Sequence, residues 1–139
     1  MATIRKHVTR DVVALEATAP IREAARLMAE QRIGSIAVKE GGRIVGLVTE
    51  RDLVLTVLAR GGDAAQPIRE AMRAGLPRVQ ATATEVETAA LMRDHTTRHL
   101  LVEEEGQVAG VVSMRDIIQL MLDEKQFLID QLQTYIDGR

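Results

Sequence analysis

The chain has 139 residues, 46% of them apolar and 27% charged, with a formal net charge of -2, a balance that suits one globular domain or two small interlocked halves and gives no reason to expect polyanion binding. The lack of cysteine excludes disulfides, thiolate catalysis and cysteine-ligated metals. One Phe and one Tyr leave a core of Val, Ile, Leu, Ala and Met.

In chain order, Arg5, Lys6 and His7 read as a solvated start with no signal-peptide run. A strand is predicted at Val12–Leu15, and Thr18 and Pro20 then lead into a helix over Ile21–Gln31, with Ile21, Ala24, Ala25 and Met28 on one face. Strands at Ser35–Lys39 and Arg43–Val48 flank the turn Glu40-Gly41-Gly42. A second helix begins after Thr49, and Ile68–Arg73 reads as a short helix. The order then recurs: a strand at Arg78–Gln80, possible capping boxes at Thr82/Glu85 and Thr84/Glu87, and a helix over Glu85–His95. Strands Arg98–Glu103 and Gln107–Val112 follow around Glu105-Gly106, then a helix after Ser113.

The recurrence is a duplication. Shifted by 64 residues, positions 15–58 align with 79–122 without a gap, and 15 of 44 pairs are identical. The repeated motifs are Gly46-x-x-Thr49-x-x-Asp52 and Gly110-x-x-Ser113-x-x-Asp116. A copy of about sixty residues is marginal alone, so the two are expected to pack sheet to sheet about a pseudo-two-fold axis, with clefts in pairs.

This pattern resembles a tandem pair of CBS domains, the module named after cystathionine β-synthase, in its stand-alone Bateman form. The resemblance covers roughly residues 6–123 and implies an α/β (α+β) fold of two βαββα repeats, with motifs at 6–62 and 67–123 and a helical extension at 124–139. It implies an adenosine nucleotide (AMP, ADP or ATP) or another adenosyl ligand in clefts between the copies. Thr49 and Asp52 would serve one cleft, Ser113 and Asp116 the other, with the hydroxyl toward phosphate or ribose and the aspartate on the ribose diol. The opposite copy's leading segment would hold the base: Thr9, Asp11 and Val13 beside Asp116, and Leu76, Arg78 and Val79 beside Asp52. Ile36 belongs to the same set. The family's usual strand proline is replaced here by Ala37 and Leu101.

The residue chemistry agrees with that assignment. A carboxylate accepts two hydrogen bonds from neighbouring hydroxyls, and a hydroxyl at a helix start suits an anion. Arg51, Arg115, Arg98 and His99 supply positive charge. The first copy has Gly34-Ser35 where the second has Arg98-His99, so the Asp116 cleft is expected to bind more tightly. Each Thr/Ser-x-x-Asp motif is also a helix cap whether or not anything binds. His95 and His99 have helical metal spacing, but a strand start falls between them and no third acidic ligand is near.

Past residue 123 the sequence leaves the repeat. A helix is predicted from Met114 to Tyr135, with Ile118, Met121, Leu122, Leu128, Ile129, Leu132, Tyr135 and Ile136 at a, d and e heptad positions and Lys125 as the interruption. This face favours a homodimer, with a client enzyme as the competing partner. The expected function is regulatory rather than catalytic, since no nucleophile–base pair is evident. A ligand-free interaction scaffold is the alternative, and net acidity with few stacking aromatics argues against nucleic acid. No run reaches the ~20 apolar residues of a membrane span, so a cytoplasmic location is expected.

Overall fold

The computed structural model describes residues 2–138, so that Met1 and Arg139 lie outside the described residues. Each copy forms a three-stranded sheet. In the first, β1 (Ala14–Glu16) runs parallel to β2 (Ser35–Glu40), which pairs antiparallel with β3 (Arg43–Thr49). In the second, β4 (Val79–Gln80), β5 (His99–Glu104) and β6 (Gln107–Ser113) repeat that order. Helices α1 (Ile21–Gln31) and α3 (Glu85–Asp94) cross between the parallel strands. The register shifts in both sheets at the same repeat position, Val38/Lys39 and Val102/Glu103. Thr84 caps α3 through the Glu87 amide at 3.2 Å.

The copies diverge after their last strands. Helix α2 holds the α geometry only over Glu50–Leu53 and widens into a π turn at Val54–Ala59. Its counterpart α4 (Met114–Asp137) continues for 24 residues. The stretch expected as a helix over Ile68–Arg73 is a 3-10 turn of three residues, Ile68–Glu70. It stops there because the chain must peel away toward Gly75 and Pro77, and Gly75 takes φ +79°.

Each copy has its own aliphatic core, and a third cluster lies between them. Ile21, Ala24, Met28, Ile36, Val38 and Val48 fill the first; Val79, Met92, Leu100, Val102, Val112 and Ile117 fill the second. Ala37, Leu47 and Leu101 form the sheet-to-sheet layer with Val12, Ala14, Ile44, Val108 and Val111 around them. The small Ala37 lets the facing strands approach while the leucines fill the space beside it.

The leading segments are exchanged. Ile4, from the 3-10 turn Ile4–His7, is fully buried in the core of the second copy, and its amide donates to Ala83 O at 2.9 Å. Ile68, the residue 64 positions later, plugs the core of the first copy, and its amide donates to Ala19 O at 2.8 Å. Each half therefore completes the hydrophobic interior of the other. At ~25 cal/mol per Å² of apolar area, one buried isoleucine contributes about 2–3 kcal/mol, which ties the two halves into one cooperative unit.

Candidate functional site

Both repeated motifs sit where a sheet edge turns into a helix. Thr49 is extended (φ -115°, ψ 166°) and caps α2: its Oγ1 accepts from the Asp52 amide at 3.2 Å, while the Thr49 amide donates to Asp52 Oδ2 at 2.8 Å. Ser113 and Asp116 repeat this at the start of α4, with 3.2 and 2.7 Å. One difference matters for a ligand. The Ser113 hydroxyl also donates to Asp116 Oδ2 at 2.9 Å, whereas no such bond occupies the Thr49 hydroxyl proton among the described residues. In each aspartate Oδ2 serves the cap, leaving Oδ1 without a hydrogen bond among the described residues, as a carboxylate that grips a diol requires.

The two caps converge on the pseudo-two-fold axis. The Glu50 amide donates to Gly34 O at 3.1 Å, and the Met114 amide donates to Arg98 O at 2.8 Å. Across the axis the His99 ring lies over Gly34 so closely that a Cβ there would be 3.0 Å from Nε2 and 3.1 Å from Glu50 Oε1. Gly34 thus makes room for the histidine of the other copy. Burial lowers the His99 pKa below its ordinary value, with help from the Arg98 charge, while Glu50, Asp116 and Asp52 oppose the shift. His99 is therefore a neutral hydrogen-bonding group at neutral pH. Arg51, Arg98 and Arg115 are exposed and form no ion pair among the described residues, so their charge is available near the caps.

A cavity of about 110 Å³ opens between the copies on the Asp52 side. Val45, Gly46 and Leu47 of β3 form one wall, the segment from Met72 to Arg78 another, and Leu100 and Leu101 the floor. Thr49 lies two residues beyond Leu47, about 7 Å along the same strand. Leu76 and Arg78 line the cavity as expected for this side, and Arg78 spans the copies by donating to Ile44 O (3.4 Å) and Glu103 Oε2 (3.5 Å). Met72 lies against Gly46, where any Cβ would collide with its sulfur.

The corresponding seam beside Asp116 is sewn by main chain. Thr9 exchanges both backbone bonds with Val111, at 2.9 and 3.0 Å, directly over Gly110. Arg5 and Arg10 pin the same segment to Glu104, each at 3.2 Å. The residue equivalent to Thr9 is Arg73, and two positions further on Gly75 takes φ +79°, which turns the backbone out of extension where the other copy has Asp11. The Asp116 side, expected from charge to bind more tightly, is the seam whose leading segment is held by main-chain pairing.

Two expected contact residues face elsewhere. Ile36 is 0% exposed and Val79 is 2% exposed, each in the core of its own copy. Strand alternation turns the side chain one residue off the seam onto the helix-covered face. Met72, Gly46, Pro77 and the Leu100–Leu101 floor were not anticipated. The motif glycine was their signal, since a residue without a side chain beside a duplicated seam marks close approach of the other copy.

Two interlocked βαββα copies, with capped carboxylates facing a shared seam, define a paired regulatory module. The CBS domain family matches the chain twice, over residues 4–59 and 68–123, and the chain belongs to that family. The CBS domain-containing protein YhcV of Bacillus subtilis is 29% identical over 117 residues, covering 84% of each chain. A CBS-domain containing protein from Agrobacterium tumefaciens superposes with a TM-score of 0.79 at 32% identity, covering 86% of this chain and 99% of its own. A CBS domain protein from Pyrobaculum aerophilum complexed with AMP superposes with a TM-score of 0.72 at 31% identity, over 83% of this chain and 89% of its own. Among the described residues no helix is long and apolar enough to cross a membrane.

Proposed function

We propose that the protein is a non-catalytic sensor that binds an adenosine nucleotide in the Asp52 seam and passes the bound state to a second copy or a client enzyme. The observation that carries this reading is a cavity walled by both copies along β3, the strand that ends at the Thr49 hydroxyl and the Asp52 carboxylate, whose free atoms suit ribose and phosphate. The AMP complex of the Pyrobaculum relative supports the ligand class. Ligand pockets usually measure about 300–1,000 Å³, so the 110 Å³ space takes a flat base. Ribose and phosphate then run along β3 toward Asp52 and Thr49, where Arg51 and the His99 ring meet the anion. The base displaces the flexible Met72 side chain from Gly46, which enlarges the seat at small cost.

A ligand held by both copies favours one relative arrangement, and its leverage is the difference in its affinity for the two arrangements, typically ~1–3 kcal/mol. Calorimetric and thermal titration with AMP, ADP and ATP tests the reading. Saturation at one hundred times Kd adds about 2.7 kcal/mol to the stability, and Asp52→Ala abolishes the gain. No heat and no melting shift at about 1 mM of each nucleotide would instead favour the ligand-free scaffold, in which the two motifs are helix caps alone.

A further inference from the structure

Beyond Glu124, whose Oε1 accepts from the Ala2 amide at 3.2 Å, α4 leaves the module. Residues 125–138 are all exposed, and so short a helix without a packed face is marginal in water, where isolated helices below about 12–15 residues fray. Its side-chain bonds indicate the kind of partner it needs. Gln119, Gln126 and Gln133 donate to Asp123, Asp130 and Asp137 at 2.8, 2.9 and 3.2 Å, the same bond repeated every seven residues. A strict seven-residue period belongs to left-handed coiled coils, and these b and f positions form the outer face. The opposite face carries Ile118, Met121, Leu122, Leu128, Ile129 and Leu132, each 40–58% exposed. Ile118 and Leu122 are open although they lie beside the module, so the seam runs unobstructed along the helix.

We propose that this seam pairs antiparallel with α4 of a second copy, with Met121 facing the partner's Leu132 and Lys125 facing the partner's Leu128. The inference builds on the self-association in the functional reading and gives it a surface, a direction and a register. The face is complementary to itself: in this register each a position meets a d position of the same sequence, and a two-fold contact closes without leaving a free end. The seam side chains from Ile118 to Leu132 are each 40–58% exposed over two heptads, so pairing takes a continuous apolar stripe out of water on both copies. Lys125 sets the direction. Parallel helices would bring two Lys125 ammonium groups face to face across the seam. Antiparallel helices lay each aliphatic stem along a leucine and let the charge reach water at the edge.

Sedimentation of the full-length protein and cysteine cross-linking test the pairing. The chain has no cysteine, so Met121→Cys and Leu132→Cys each introduce one thiol at an exposed position. Oxidised separately, neither variant cross-links; co-expressed, the two form a disulfide-linked dimer. Cross-linking of either variant with itself indicates a parallel pair and overturns the proposal. A double variant, Leu128→Glu with Leu132→Glu, sediments as a monomer, and a dimer that survives it also overturns the proposal. A wild-type monomer removes the pairing and the self-association together, while nucleotide titration of the same sample reports separately on the Asp52 seam.

Discussion

Gly46 and Gly110 occupy equivalent positions in the two copies, yet the same substitution has different consequences at each. A Cβ at Gly110 runs into the carbonyl oxygen of Thr9 and approaches Val8 Cγ1 to 2.6 Å. A backbone carbonyl cannot turn aside, so Gly110→Ala unzips the Thr9–Val111 pair and loses two hydrogen bonds worth about 0.5–1.5 kcal/mol each. Adding the strain of the displaced segment brings the cost to about 2–3 kcal/mol, which for a chain of this length lowers the melting temperature by about 7–10 °C. At Gly46 the obstacle is the Met72 thioether, which rotates away, and Gly46→Ala costs less than about 1.5 kcal/mol. Urea denaturation of both variants, with hydrogen exchange at the Thr9 and Val111 amides, measures the difference. Equal losses, or full protection of those amides in Gly110→Ala, would refute the assignment of one sewn and one unsewn seam.

Asp52→Ala leaves the Thr49 amide without its acceptor and removes the N-terminal brace from a helix that soon widens into a π turn. It is expected to cost about 1–3 kcal/mol in urea unfolding, and to weaken nucleotide binding more than Asp116→Ala when both are titrated calorimetrically. Thr96, a β-branched residue, ends α3 at φ +48°, so Thr96→Gly is expected to raise stability by about 1 kcal/mol through release of left-handed strain, read as a higher melting temperature. Burial and Arg98 hold the folded-state pKa of His99 below the unfolded value of about 6.5. Its contribution to stability is thus complete above that pH and is lost as the pH falls through the folded pKa. Urea midpoints at pH 7.5, 6.5 and 5.5 are expected to fall less steeply in His99→Gln than in wild type, and parallel curves would contradict this.

The repeat made most of the architecture legible. Apolar alternation and the turn residues located all four hairpin strands, and Ile21–Gln31 matched its helix at both ends. The strands after the turns extend one residue further than patterning indicated, because Thr49 and Ser113 pair with Ser35 and His99 before capping their helices. The exchange of Ile4 and Ile68 was hidden, since sequence periodicity reports that a side chain is buried and not whose core receives it. The Thr49–Asp52 and Ser113–Asp116 helix caps were identifiable from their motifs. The difference between the two leading segments follows the turn at Gly75, whose effect is on main-chain pairing far away in sequence. The shift of Ile36 and Val79 out of the site reflects a one-residue difference in which face of the strand is counted, the usual consequence of a two-residue period.

The stitched Thr9–Val111 segment has a consequence for how such a protein reads a signal. Gene duplication supplies two nominally equal seams; on the proposed reading, in which the unsewn one takes the nucleotide, each chain offers a single port, and its occupancy would rise along a simple hyperbola. Any sharper response must then arise between chains rather than within one, so the threshold behaviour of the device is set by how two copies are joined and not by how many times the motif was copied.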